Sequence, residues 1–96
     1  MNISISRKAI LEIKASKEWY DKQESGLGSI FLSDFEDAVS RIQQMPKGFP
    51  LVRIRIRKCL FSKFPFAVLY DSESKNEKIT ILVVYHQFRN PKTYLK

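Results

Sequence analysis

Hydrophobic positions in the first half of the chain recur at helical spacing. After Ser6, a stretch from 7 to about 24 contains neither Gly nor Pro, and Ala9, Ile13, Ser16 and Tyr20, with Ile10 and Trp19 alongside, fall on one side of a helix. Ser6 suits the N-cap, where a hydroxyl can accept a first-turn backbone N–H. Ser25-Gly26-Leu27-Gly28 reads as a turn. Leu27, Phe31, Phe35, Ala38, Ile42 and Met45 then step by 4, 4, 3, 4 and 3 residues, the strongest periodicity in the chain. They predict a second helix ending near 44, before Pro46 and Gly48. Two helices joined by so short a turn fold back as an antiparallel hairpin.

Beyond Pro50 the period drops to two. Val52, Ile54 and Ile56 alternate with Arg53, Arg55 and Arg57, which predicts one strand with an apolar and a basic face. A second strand is expected over 64–71, with Phe66, Val68 and Tyr70 facing one way and Ala67 and Leu69 the other. A polar loop at 72–77 leads to a third, over 78–86. It is apolar on both faces, Ile79, Ile81, Val83 and Tyr85 against Leu82 and Val84, and so belongs in the sheet interior. Residues 2–5 can form a short first strand. The order β-α-α-β-β-β predicts an α+β domain, an antiparallel helical hairpin packed on one face of a small, mainly antiparallel sheet. No helix remains for the other face. It is expected to expose an apolar floor from the third strand beside the arginines.

Length and composition narrow the class. Ninety-six residues make a single domain, 1–96, and 44% hydrophobic with 28% charged residues excludes disordered and fibrous chains. The longest apolar runs, 64–70 and 79–85, are too short to span a bilayer. The start of the chain lacks the apolar stretch of a secretory signal, and a lone Cys59 cannot form an internal disulfide, so a soluble cytoplasmic protein is expected. Net charge is +7, unevenly placed: residues 1–48 carry seven basic and seven acidic side chains, residues 49–96 ten and three. Such a field favours RNA, DNA or an acidic protein segment, and equally serves solubility.

Several kinds of chemistry drop out. Gly26-Leu27-Gly28 lacks the third Gly and the Lys-Ser/Thr of nucleotide-binding loops. One His and one Cys, with no carboxylate near either in sequence, argue against a metal, and no cofactor is implied. Two sets remain. On one strand face, Arg53, Arg55 and Arg57 would stand roughly 6.5–7 Å apart, near the spacing of adjacent phosphates. With Lys58 and Lys63 they make an anion- or partner-binding set, or a solvated edge kept basic against aggregation. His86, at the end of the third strand, can converge with Arg89 and Tyr94 to donate a proton and hold an anion, or act as a structural hydrogen-bonder.

These residues also carry a resemblance. The string from Trp19-Tyr20-Asp21 through Ser25-Gly26-Leu27-Gly28 to Phe31, then Pro46, Phe49-Pro50, Arg57, Phe64-Pro65-Phe66, Tyr70 and His86-x-x-Arg89-x-Pro91, resembles the RelE/ParE superfamily of toxins. These belong to bacterial type II toxin–antitoxin (plasmid stabilization) systems. The likeness runs from about 6 to 94. It implies a cytoplasmic toxin neutralised by a cognate antitoxin whose tail lies in an open groove. ParE-like members poison DNA gyrase without a known chemical step. RelE-like members are metal-independent, ribosome-dependent mRNA endonucleases (mRNA interferases). For that reaction the resemblance would use Lys58 or Lys63 to activate the ribose hydroxyl, Arg57 and Arg89 to hold charge, and His86 or Tyr94 as acid.

The Trp-Tyr…Gly-Leu-Gly and Phe-Pro-Phe strings look more like the ParE-like side. No strand carboxylate adjoins His86, since Asp71, Glu73 and Glu77 gather at the far loop. Phe66 stands where Tyr is usual and Tyr94 where Trp is usual; losing the Phe66 hydroxyl slightly weakens the nuclease reading, and the extra Arg53/Arg55 pair slightly strengthens it. A gyrase-directed toxin is therefore expected ahead of a RelE-like nuclease, with an inactive, toxin-like antitoxin-binding module as a third reading.

Overall fold

The computed structural model describes residues 2–72 and 78–88. Its elements are β1 (Asn2–Ile5), α1 (Arg7–Gln23), α2 (Leu27–Gln44), β2 (Leu51–Arg53), β3 (Ile56–Leu60), β4 (Phe66–Asp71) and β5 (Lys78–His86). The five strands lie in the order β1-β5-β4-β3-β2. β1 runs parallel to β5, and every other pair is antiparallel. The α+β fold with its helical hairpin is as expected, with one more strand.

The extra strand comes from a break in the Val52–Arg57 alternation. Residues 54 and 55 form a turn, with Arg55 at a left-handed φ of 70°, so β2 and β3 are the two arms of a hairpin. The expected stripe of Arg53, Arg55 and Arg57 on one strand face therefore does not exist. Neither Gly nor Asn marks this turn, so the alternation ran across it unbroken. β4 also starts later than expected, at Phe66, because the 61–65 segment turns. The Asp34 carboxylate, buried on α2, accepts the backbone N–H groups of Ser62 (3.2 Å), Lys63 (2.8 Å) and Phe64 (2.9 Å). Phe61 N–H then reaches the Phe66 carbonyl at 2.9 Å and closes the β3–β4 hairpin.

The main core lies between the helices and the sheet. Ala9 and Ile13 of α1, Phe31, Phe35, Ala38 and Ile42 of α2, and Phe66, Val68, Tyr70, Ile79, Ile81 and Val84 meet there. Met45, last of the helical series, follows α2 and is exposed. A β-bulge sets which side of β5 faces the helices. Leu69 pairs with Val83 and Tyr70 with Ile81, so Leu82 is an extra residue on β5. Ile79, Ile81 and Val84 thus share one face, and Val83 and Tyr85 the other, in place of the simple alternation expected. Ser6 secures the bulge: its N–H donates to the Ile81 carbonyl (2.9 Å) and its Oγ to the Leu82 carbonyl (2.7 Å). The same Oγ accepts Ala9 N–H at 3.1 Å and caps α1.

The second sheet face departs from expectation as well. Ala67, Leu69, Val83 and Tyr85 form a cluster there, and all four are buried, so the apolar floor is not open. Ile56 and Leu82 pack partly buried at its margin. No helix among the described residues is long and apolar enough to cross a membrane.

Candidate functional site

α1 delivers one wall of a groove and the ends of β4 and β5 deliver the other. Helical spacing puts Glu12, Ser16 and Trp19 on consecutive turns of α1, and strand pairing sets Phe66 opposite His86. With Tyr20 and Phe88 they line an open groove of about 570 Å³. Its floor is anchored from beneath. Tyr20 stacks on Phe31 (5.4 Å between centroids) and meets Phe64 edge-on (4.8 Å), while His86 meets Phe66 edge-on at 5.2 Å. The rims are apolar and exposed: Trp19 is 56% and Phe88 83% accessible. Aromatic side chains with so much accessible area favour an apolar partner.

The polar groups in the groove are few and engaged. Ser16 Oγ donates to Glu12 Oε2 at 2.8 Å. Phe88 N–H donates to His86 Nδ1 at 3.1 Å, so the neutral imidazole carries its proton on Nε2. The sequence offered no carboxylate near His86; tertiary packing brings Glu12, from a helix 74 positions earlier, into the same groove. Ser16, Trp19 and Phe88 also belong to this groove without having been singled out as site residues. The signal for Trp19 lay in its place, at the edge of the α1 apolar face.

The expected site residues do not form one patch. Register sets Tyr70 opposite Arg57 and Phe66 opposite His86. Four residues along β4 and two strand spacings separate the Arg57 and His86 backbones by roughly 16 Å. The Arg57 guanidinium turns away to the chain before β2, donating to the Phe49 carbonyl (2.7 Å) and to Ser72 Oγ (3.3 Å). Beside it Tyr70 Oη donates to the Pro46 carbonyl at 2.6 Å, and burial pushes the Tyr70 hydroxyl up to about 12. Arg53 and Arg55 sit at the β2–β3 hairpin, Arg55 paired with Asp71 at 3.2 Å. Lys58 lies 6.0 Å from the centre of the Tyr85 ring. Lys63 follows the opposite end of β3, beside Asp34 and Asp37 of α2. Arg89 and Tyr94 lie outside the described residues. Cys59 is wholly buried, and burial raises its thiol, which suits a packed core residue.

Among the described residues no group of His, Cys, Asp and Glu could hold a metal ion. No protein-family model and no curated protein matches this chain. Among solved structures, a chain of the chromosomal ParDE TA system from P. aeruginosa superposes with a TM-score of 0.76. The match covers 90% of this chain and 95% of that one at 21% identity. The two share a fold.

Proposed function

We propose that this protein is the toxin of a type II toxin–antitoxin pair, held inactive by a cognate antitoxin and directed at DNA gyrase. The observation that carries the reading is the fold shared almost end to end with a chain of a ParDE system. The Trp19/Phe88 groove suits an antitoxin segment that brings apolar side chains and acidic ones, the latter answering the +7 charge. The placement of Arg57 supports a target-binding toxin over a nuclease. A phosphoryl-transfer centre needs its acid and its positive charge within hydrogen-bond reach of one phosphate. Here Arg57 and His86 are far apart, and Arg57 braces the chain ahead of β2.

One observation favours a second reading, a metal-independent mRNA endonuclease. Glu12 and His86 line the same groove, and a carboxylate with an imidazole is a workable acid–base pair. Induced expression followed by two readouts separates the readings. Gyrase-linked DNA breaks without mRNA cuts are expected. Cuts at translated codons, lost in a folded His86→Ala variant, would replace this reading with the second. Growth arrest should be relieved by the partner antitoxin and no longer relieved when Trp19→Ala removes the groove rim.

A further inference from the structure

The groove leaves the β2–β3 hairpin unused. Its tip is the turn Ile54-Arg55, and Ile54 is 90% exposed, the highest value of any large hydrophobic among the described residues. One exposed isoleucine needs no explanation on its own. This one stands between two exposed arginines, Arg53 and Arg55. Arg55 holds a φ of 70°, a left-handed conformation that Gly or Asn adopts at less cost, so the tip carries a guanidinium where glycine would be easier. The Arg55 side chain stays 55% exposed while paired with Asp71, which fixes its direction without hiding it.

Addition of a partner strand fits this hairpin poorly. β2 has three residues, and its pairing shifts register between Leu51 and Arg53. Short, irregular edges resist strand pairing. The most exposed apolar atoms also lie in the turn, where no strand can add. The tip itself is the contact element.

We propose that the β2–β3 hairpin is a wedge for the minor groove of B-form DNA, with Ile54 entering between base steps and Arg53 and Arg55 lying along the groove walls. Isoleucine is among the side chains that part base steps and kink a duplex. The B-DNA minor groove, about 6 Å wide, attracts arginine by its concentrated negative potential. The wide, shallow minor groove of duplex RNA offers no such slot. Arg53 and Arg55, both exposed at the tip of a chain with net charge +7, supply the phosphate attraction that brings the hairpin to the duplex. This wedge is independent of the toxin reading and needs neither antitoxin nor gyrase.

The test uses the purified full chain and an end-labelled DNA duplex of roughly 20–30 base pairs with a central flexible TA step. Anisotropy reads binding, and energy transfer between the ends reads bending. The parent is expected to bind and bend the duplex, with affinity falling steeply as salt rises. Ile54→Ala is expected to keep most of the binding and lose the bend. Arg53→Glu should weaken binding by about tenfold or more, while Lys14→Glu, an equal charge change on α1, leaves the bend unchanged. All three positions are exposed, and a thermal melt of each variant checks the fold. Binding without bending in the parent overturns the proposal, as does equal weakening by Arg53→Glu and Lys14→Glu. Duplex RNA bound as well as DNA overturns it too. So does protection of Ile54 by an acidic protein partner with no duplex bent.

Discussion

The Asp21 carboxylate accepts the Gly28 N–H at 2.7 Å and so ties the last turn of α1 to the first turn of α2. The approach is close enough that a Cβ on Gly28 would lie 2.5 Å from the Lys17 carbonyl oxygen and 2.6 Å from the Asp21 carboxyl. This contact explains the two glycines of the turn separately. Gly28 is required by proximity, whereas Gly26 has open space around it and a left-handed φ of 88°.

Different substitutions should therefore be tolerated at the two positions. Gly28→Ala should destabilise by about 1–3 kcal/mol or more, because backbone blocks the new methyl. Gly26→Asn should stay near the parent, since Asn adopts the left-handed conformation readily. Urea melts of both variants check this. An unstable Gly26→Asn beside a stable Gly28→Ala would contradict the packing described.

The same bond makes a pH prediction. The Gly28 N–H, and next the Lys17 ammonium, hold the Asp21 carboxyl below its usual 3.8. A lowered folded value means a contribution fully present above about 4 and lost as pH falls through the folded value. Asp21→Asn should lower stability at pH 7, where the contribution is present, change little at acid pH, and so flatten the acid limb of stability against pH. A limb of unchanged steepness would show that other carboxylates set it.

Tyr70 acts at the alkaline end with the opposite sign. Burial raises its hydroxyl from 10.0 to about 12 in the folded protein, so the folded state keeps a proton that the unfolded state releases. Its contribution is complete below pH 10 and is lost as pH rises toward 12. Tyr70→Phe removes the bond to the Pro46 carbonyl and should cost about 1–2 kcal/mol at neutral pH. It should also remove a tyrosine titration near 12 in ultraviolet absorbance. Loss of a titration near 10 instead would show an accessible hydroxyl.

The Asp34 clamp gives the largest expected effect. A buried carboxylate accepting three backbone N–H groups makes charge-assisted bonds worth about 1.5–3 kcal/mol each, though not additively. Asp34→Ala should cost roughly 3–5 kcal/mol and loosen the 61–65 turn. Amide hydrogen exchange at Ser62, Lys63 and Phe64 should rise together. Unchanged protection at those amides would assign the turn to its phenylalanine packing.

Both helices were legible because their apolar spacing is local and uninterrupted. Phe35 and Ile42 are buried where the 4-4-3-4 series put them. The faces of β5 were misread for a nonlocal reason. A bulge at Leu82 changes no composition, and its support, Ser6, lies 76 residues away. The β2–β3 turn was missed because Ile54 and Arg55 sustain the strand alternation that they in fact interrupt. His86 was noticed as a strand-end histidine. Its neighbours Glu12, Ser16 and Trp19 lay on a helix whose position against β5 no spacing rule gives.

Ser6 permits a direct check of how nonlocal support works. Ser6→Ala loses both the helix cap and the bond to the Leu82 carbonyl, and should cost about 1–2 kcal/mol. Ser6→Asp restores a cap acceptor but sets a carboxylate against that carbonyl, so it should recover little. Thermal melts of the two variants decide it. Full recovery by Asp would mean that the cap alone matters.

Pairing of β1 with β5 has a consequence for synthesis. The chain's first strand finds its neighbour at residues 78–81, so the sheet order cannot be completed on a ribosome that has yet to release that segment. Until then Ile3 and Ile5 lack their strand partner, and Ser6 lacks the two carbonyls that fix the start of α1. Native structure waits on a contact spanning 76 residues, which favours slow, late closure. A growing chain is thus an unfinished sheet until β5 has left the ribosome, and closure of the fold is timed by its emergence.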